Sequence, residues 1–536
     1  MHMLVAGAWL LGGMIRIYQF ARFFQIEEYQ NLRYLRWLAR NPRRWGWPRA
    51  LIAWSVALVV GFFVLRSPRE EVLLAIFGGA GLVAAWPARE REIKKKFART
   101  QRAIRLLLAS AVVYVVVMWG VFLLVGTPDL VAARYVLAAV VGVALYLIAP
   151  VFLVAGNLLA YPLEAGLRWL YMQRARQVLK RLSPMVIGIT GSYGKTSTKH
   201  FLAHILNGRY TAVATPKSYN TLMGVTLAIN TVLKDVRRVD YFIVEMGAYI
   251  EGEIAQICRL TRPQISIVTA VGPQHLERFG SLEAVANAKY EIVAALPPEG
   301  TAVLNADDPR VRAMADRAHV SRTVLVSREG AAGADLLAAN VNETLDGLSF
   351  DVVDQATGET RHFHAPVYGL HNVTNILLAT AVARQLGLSL GEIAVRVAGL
   401  EPFEHRLQRR IQPGGLVVLD DAYSANPVGA RSALHVLGLH RDGRRILITP
   451  GMVELGALHD EENRQLGMLA TEYATDIVLV GRAQTQPIYE GVKSTAFDPA
   501  HLHVFDTHAE AVAWLREQAR AGDTVLFLND LPDTYL

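Results

Sequence analysis

The sequence predicts an α-helical membrane region followed by α/β domains. Three observations carry this: the long apolar segments are confined to the first 160 residues or so, a strand, glycine loop and helix follow at 185–206, and from there strand-like and helix-like stretches alternate. The first is a bilayer signature and the other two describe a doubly wound parallel sheet.

Bulk properties agree with a two-part chain. Its 536 residues allow several domains, and a hydrophobic content of 52% with mean hydropathy +0.25 is high for a wholly soluble protein. Cys258 is the sole cysteine, which excludes an intramolecular disulfide framework and a cysteine-rich zinc site. The formal charge is +8, but the basic residues flank apolar segments, so anionic lipid explains them better than nucleic acid, which is not expected as a partner.

Five apolar segments, 3–15, 50–65, 72–86, 104–125 and 130–160, make up a membrane region over 1–162. The last two are long enough to span a bilayer alone, and no charged residue lies deep within them. The start Met1-His2-Met3 lacks the basic region of a cleaved signal peptide. Arginines and lysines cluster after the first segment (Arg22 to Arg49), after the third (Arg89 to Arg102) and after the last (Arg168 to Arg181). Five spans put all three clusters on the cytoplasmic side, with the N-terminus outside. Residues 163–182 mix Leu, Trp and Tyr with Arg and Lys at helical spacing, as a linker helix lying on the membrane surface or packing on the next domain.

The stretch MVIGITGSYGKTSTKHFLAHIL at 185–206 organises the remainder. Its short β-branched run suits a buried parallel strand. Thr190, Gly191, Ser192, Tyr193, Gly194, Lys195, Thr196 and Ser197 then form a phosphate loop: glycines allow close approach, amides converge on phosphate oxygens, Lys195 reaches the β/γ-phosphates of ATP, and the Thr196 hydroxyl suits Mg²⁺. Ile189 stands where the usual P-loop pattern has its first glycine, so the loop is of the variant form TGxxGKT.

A polar loop at 215–224 leads into a helix at 225–232, and a strand at 241–244 ends in Glu245, a carboxylate placed to hold Mg²⁺. A further strand at 265–269 precedes 272–280. Ser281 is the expected N-cap of a helix carrying Lys289 and Glu291, and the strand around 302–304 ends in polar Asn305 and Asp307.

This set resembles the Mur ligases, the ATP-dependent amide-forming enzymes of cell-wall precursor synthesis, and above all the member that adds D-alanyl-D-alanine. The matching pieces are TGSYGKTS at 190–197, VEMGA at 244–248, HLERFGS at 275–281, AKYEI at 288–292, LNADD at 304–308, YGLHNVTN at 368–375, LDDAYSANP at 419–427 and GMVELG at 451–456. The resemblance implies a central ATP-binding domain at 183–404 and a C-terminal Rossmann-like domain at 405–536. It further implies that Lys195 and Thr196 hold phosphates and Mg²⁺, that Glu245 and His275 hold metal, and that Lys289 is carbamylated to support a second Mg²⁺. Asn372 and Asn375 match positions near adenine and ribose, and Arg406 and Asp421 match residues that reach the nucleotide when the domains close. His459, which follows the last of these pieces, either orients the entering substrate or is a structural loop histidine. The partners implied are a carboxylate-bearing muramoyl peptide, or a lipid-linked precursor of the same kind, and an amino acid or dipeptide amine.

Two stretches depart from the family. Membrane segments stand where the small uridine-binding domain belongs, which suggests either presentation of the donor at the membrane or a simple anchor. The C-terminus ends in acidic LNDLPDTYL rather than the family's Lys-Gly-Ser-Arg segment, so the amine is open, and a polyglutamate-like polymer is the alternative product. An ATP-driven transporter lacks its LSGGQ-type signature, and a non-catalytic scaffold is at odds with the intact Lys195, Glu245, His275 and Lys289 set.

Overall fold

The computed structural model describes residues 2–529 apart from 42–47, 65–68, 87–96, 126–130, 218, 275, 402–405, 422–425 and 454. His275, Ser218, the basic residues at 43–44 and 89–96, the turn at 66–68, the Ala422 to Ala425 part of LDDAYSANP, Glu454 and the acidic tail from Asp530 therefore lie outside the described residues. The chain forms two compact units that divide between Trp169 and Leu170.

The first unit is helical: α1 (His2–Ile26), α2 (Asn31–Arg40), α3 (Pro48–Val64), α4 (Glu70–Ala85), α5 (Gln101–Val125), α6 (Val131–Ile148) and α7 (Phe152–Leu182), with a 3₁₀ turn at Ala149–Val151. Three stretches, Met3–Ile26, Gln101–Val121 and Ala133–Leu182, are long and apolar enough to cross a membrane. The helices of the expected second and third segments have 17 and 16 residues, short of the roughly 20 that a span needs.

α1 runs well past the expected end at 15 because Ile17, Phe20, Ala21, Phe23 and Phe24 continue its buried face. Arg16 is thereby taken inside. Small residues let these helices approach: a Cβ on Gly81 would sit 3.1 Å from Ala8, and one on Gly142 would sit 2.5 Å from the Trp9 ring. The Trp9 indole donates to Phe77 O at 3.2 Å. Nor is 163–182 a separate helix: α7 is continuous through Pro162. From Leu170 on it belongs to the second unit, where Ala175 is buried and Arg181 donates to Lys234 O at 2.6 Å.

The second unit holds two sheets. The first has the order β2-β3-β1-β4-β5-β6-β7-β8-β9, from β1 (Met185–Thr190), β2 (Ala212–Ala214), β3 (Tyr241–Glu245), β4 (Ile265–Val268), β5 (Thr301–Asn305), β6 (Arg322–Ser327), β7 (Leu336–Thr344), β8 (Gly347–Asp354) and β9 (Thr360–Ala365). β1 to β6 are parallel, and β7 to β9 continue as an antiparallel meander. Two-residue periodicity sends Ile187, Ile189, Ile243 and Ile267 into one core and Val186, Phe242, Val244 and Val268 into the other. Both faces are thus covered, as a doubly wound sheet requires.

The second sheet, of order β10-β11-β15-β12-β13-β14, contains β10 (Gln408–Ile411), β11 (Val417–Asp421), β12 (Arg445–Gly451), β13 (Asp476–Val480), β14 (Leu502–Phe505) and β15 (Thr524–Asn529). Only β10 is antiparallel to its neighbour.

Ile267 is fully buried at the centre of the first sheet, so Ile267→Ala is expected to cost about 2–5 kcal/mol. Denaturant unfolding of the purified full-length protein checks this.

Candidate active site

β1 lies between β3 and β4, so the loop that leaves its C-terminal end is flanked by two strand tips. That loop opens the helix Lys195–Leu206, α8. Two of its glycines are required. Gly191 has φ +149° and a Cβ there would sit 1.9 Å from Thr269 Oγ1, while Gly194 has φ +79° and a Cβ there would sit 2.4 Å from Asn375 Oδ1. Thr190 Oγ1 ties the loop to β3 by donating to Met246 O at 2.8 Å, and Ser192 Oγ donates to Gly272 O at 3.1 Å.

The Lys195 ammonium is folded back onto the loop, donating to Gly191 O at 2.6 Å and Ser192 O at 3.0 Å. Burial lowers its pKa to about 8, with Glu245 opposing and Arg406 adding to the fall. An anion placed in the loop would draw the ammonium out of these bonds and restore its charge.

Glu245, at the tip of β3, is buried. Its Oε2 accepts from Thr196 Oγ1 at 3.1 Å and from Lys199 Nζ at 2.9 Å, and its Oε1 accepts from Asn220 Nδ2 at 3.2 Å. Burial raises the carboxyl's pKa, but Lys199 and Lys195 outweigh it and hold the group below the usual carboxylate range. Lys199 was not singled out from sequence. It stands one turn after Lys195 on α8, a spacing that puts both ammonium groups on the same side of the helix.

Seven of the expected nucleotide residues line one cavity of about 390 Å³. Tyr193, Gly194, Ser197, Asn372, Asn375, Arg406 and Asp421 all line it, and so does His371. Asn375 Nδ2 donates to Asn372 Oδ1 at 2.8 Å, and Asn372 Nδ2 to Tyr368 O at 2.7 Å. Burial pushes Asp421 up to about 6, against the pull of Arg406, and pushes the His371 imidazole down to about 4. In LNADD, Asn305 donates to Thr269 O at 2.9 Å and Asp308 accepts from Val271 N at 2.6 Å, so both shape the cavity wall.

A smaller cavity of about 40 Å³ lies on the other side of the loop, lined by Ser192, Lys195, Asn220, Tyr249, Gln274 and Lys289. Lys289 is 4% exposed, and burial together with Lys195 brings its pKa down to about 7. Free amine, the form that adds carbon dioxide, is thus accessible to it near neutral pH. Glu291, on the same helix, is used in structure: it accepts from Ala255 N at 2.8 Å. His459 opens the helix His459–Tyr473 and faces Asn463 Nδ2 at 3.4 Å.

The expected metal set comes together only in part. Thr196 and Glu245 meet, Lys289 faces the smaller cavity, and His275 is outside the described residues. No three His, Cys, Asp or Glu side chains gather among the described residues. A hydroxyl and a carboxylate beside a phosphate loop are nevertheless hard oxygen donors that suit Mg²⁺ completed by phosphate and water.

A strand–loop–helix anion site, a carboxylate at the neighbouring strand tip and a second parallel sheet contributing to the same cavity define a nucleotide-dependent phosphoryl-transfer fold. The Mur ligase middle domain matches residues 189–383, and the Mur ligase, glutamate ligase domain matches residues 405–529. The chain is 38% identical over 365 residues to the UDP-N-acetylmuramoyl-tripeptide--D-alanyl-D-alanine ligase of Mycobacterium tuberculosis, covering 64% of this chain and 69% of that one. It is 34% identical over 321 residues to the enzyme of that name from Escherichia coli, covering 60% and 70%. The crystal structure of MurF from Acinetobacter baumannii superposes with a TM-score of 0.60 at 27% identity, over 68% of this chain and 78% of that one. The chain belongs to the Mur ligase family, and so to the ATP-dependent, ADP-forming amide ligases.

Lys199→Met strands the Glu245 carboxylate without its cation and is expected to cost about 3–5 kcal/mol, most of which Glu245→Gln in the same chain restores. Because Glu245 is held below its ordinary value, its share of stability is present above pH 4.5 and fades as pH falls through the folded value. Unfolding curves across pH 3–6 should therefore fall less steeply for Glu245→Gln than for the wild type.

Proposed function

We propose that this chain joins D-alanyl-D-alanine to a muramoyl tripeptide in peptidoglycan precursor synthesis, with the sequential chemistry of an acyl phosphate. The observation that carries the reading is that the phosphate loop lines two cavities, one through Tyr193, Gly194 and Ser197 and the other through Ser192 and Lys195 together with Lys289, while its Thr196 meets Glu245. The names of the relatives above supply the substrate pair.

A carboxylate oxygen of the donor attacks the γ-phosphorus of ATP and ADP departs. The amine nitrogen then attacks the acyl carbon and loses its proton, while phosphate leaves with the donor's oxygen. The first step brings two anions together, and Lys195 with the amides of 190–196 offsets their repulsion. Mg²⁺, when bound, neutralises charge on the phosphoryl oxygens; Thr196 and Glu245 would hold it, with His275 a further ligand. Lys199 and Asn220 hold the Glu245 carboxylate in place. Asn372 and Asn375 would meet adenine and ribose, and Arg406 and Asp421 would close over the nucleotide from the second sheet. Lys289, as a carbamate, would supply a second anionic metal ligand between ATP and donor. His459 lines neither cavity.

The helical unit is read as membrane-embedded, multi-pass, with the N-terminus outside and the catalytic part cytoplasmic. Its outward faces support this: Leu108, Val112, Val116, Trp119 and Leu123 of α5 are exposed, while Leu106, Ser110, Tyr114 and Met118 of the same helix are buried. Such a unit anchors the enzyme or presents a lipid-linked donor.

Purified protein should release phosphate from ATP only with a UDP-muramoyl tripeptide and D-alanyl-D-alanine together, and Lys195→Ala should slow it at least ~10²-fold. Turnover with L-glutamate in place of the dipeptide would favour the polyglutamate-like alternative. In ¹³C-bicarbonate, a carbamate resonance should appear in the wild type and be missing from Lys289→Gln.

A further inference from the structure

The helical unit contains a buried cation that meets no anion. Arg16 is 3% exposed, and its Nε and Nη2 have no hydrogen-bond partner among the described residues. Its guanidinium carbon stands 4.6 Å from the centre of the Tyr146 ring and 5.6 Å from that of Phe20, so aromatic faces compensate part of the charge. The groups that face it electrostatically are Tyr34, Tyr114 and Tyr146, and no carboxylate is among them. Three of the unit's described carboxylates are engaged elsewhere: Glu28 with Arg33, Glu70 with the Tyr135 hydroxyl and Glu164 with Arg105. A guanidinium enclosed without a counter-charge is destabilising unless something supplies one.

Two further donors lie on the facing helix. Ser110 and Tyr114 of α5 are fully buried, one turn apart on the same side, and neither hydroxyl has a partner among the described residues. A Cβ on Gly13, one turn before Arg16 on α1, would sit 2.0 Å from the Tyr114 hydroxyl. A Cβ on Gly156 would sit 2.1 Å from Ser110 Oγ. Tyr34 and Tyr146 do not compete, since their hydroxyls donate to Pro150 O at 3.2 Å and Ala84 O at 3.0 Å. The Tyr146 hydroxyl serves part of the guanidinium, so what remains is Nε and Nη2 of Arg16 and two hydroxyls, all able to donate and without a partner among the described residues. A tetrahedral oxyanion satisfies such a set as no single neutral acceptor can.

We propose that Arg16, Tyr114 and Ser110 form a site for the phosphate group of an anionic lipid. The phosphate accepts from the guanidinium and the hydroxyls, and the chains lie along the apolar outer surfaces of α1 and α5, where Leu4, Leu11, Leu108 and Val112 are exposed. The proposal rests on the membrane reading of this unit and is independent of the ligase chemistry. A lipid is favoured over free phosphate because the donors lie inside a helical unit whose outward faces are apolar.

Native mass spectrometry of the full-length protein in detergent tests it, with dioctanoyl phosphatidic acid, dioctanoylglycerol and inorganic phosphate as probes. Phosphatidic acid should be retained at one site, and about tenfold less strongly by Arg16→Gln and by Tyr114→Phe. Arg16→Lys should keep part of the binding and Lys195→Ala all of it. Equal retention by wild type, Arg16→Gln and Tyr114→Phe, or retention of the glycerol lipid as well, overturns the site. Arg16-dependent binding of inorganic phosphate as tight as that of the lipid overturns the lipid assignment. If Arg16→Gln does not fold, Tyr114→Phe decides, because it removes one oxygen and leaves the packing. Release of the protein from cells without detergent would overturn the membrane reading instead, a result independent of which variants bind phosphate.

Discussion

The arrangement of the active site depends on one buried carboxylate. Glu245 ends β3 beside the loop that ends β1, and a charge in that position is tolerable only because Lys199, Thr196 and Asn220 surround it. Those three bonds tie together α8, the loop after β2 and the central strands. Burial lowers the pKa of both neighbouring lysines; Glu245 opposes that fall at Lys195, and Lys195 adds to it at Lys289. One cation is thus kept ready for phosphate, and another is left partly neutral where a carbamate would be useful.

Much of the second unit was legible in the chain. The β-branched runs at 186–189, 241–244 and 265–268 became buried parallel strands, and Ser281 became the N-cap of the helix that carries Lys289. These are local signals, set by side-chain period and capping chemistry. The meander of β7, β8 and β9 was not anticipated, because its strands alternate mildly and lack an apolar run. Lys199 was missed for a different reason. A lysine on a helix reads as solvated, and only the tertiary approach of β3 makes it the partner of a buried glutamate.

The helical unit shows the same limit in apolar surroundings. Hydropathy finds the segments, but an arginine is the natural place to end one, so α1 was expected to stop before Arg16. Aromatic residues on both sides of Arg16 carry the helix on to Ile26 and enclose the charge. A composition rule cannot anticipate this, since the compensation comes from Tyr146, more than a hundred residues away. In both units, therefore, the charge that matters most is one whose partners are distant in sequence.

The proposed ligation requires an acyl phosphate formed at the loop of 190–196. The most direct measurement is the fate of oxygen: a muramoyl tripeptide labelled with ¹⁸O in its terminal carboxylate, turned over with ATP and D-alanyl-D-alanine, and the released phosphate weighed. One ¹⁸O atom carried into phosphate per amide bond formed is the predicted result. Phosphate without label would mean that ATP does not activate the donor carboxylate, and would contradict the account.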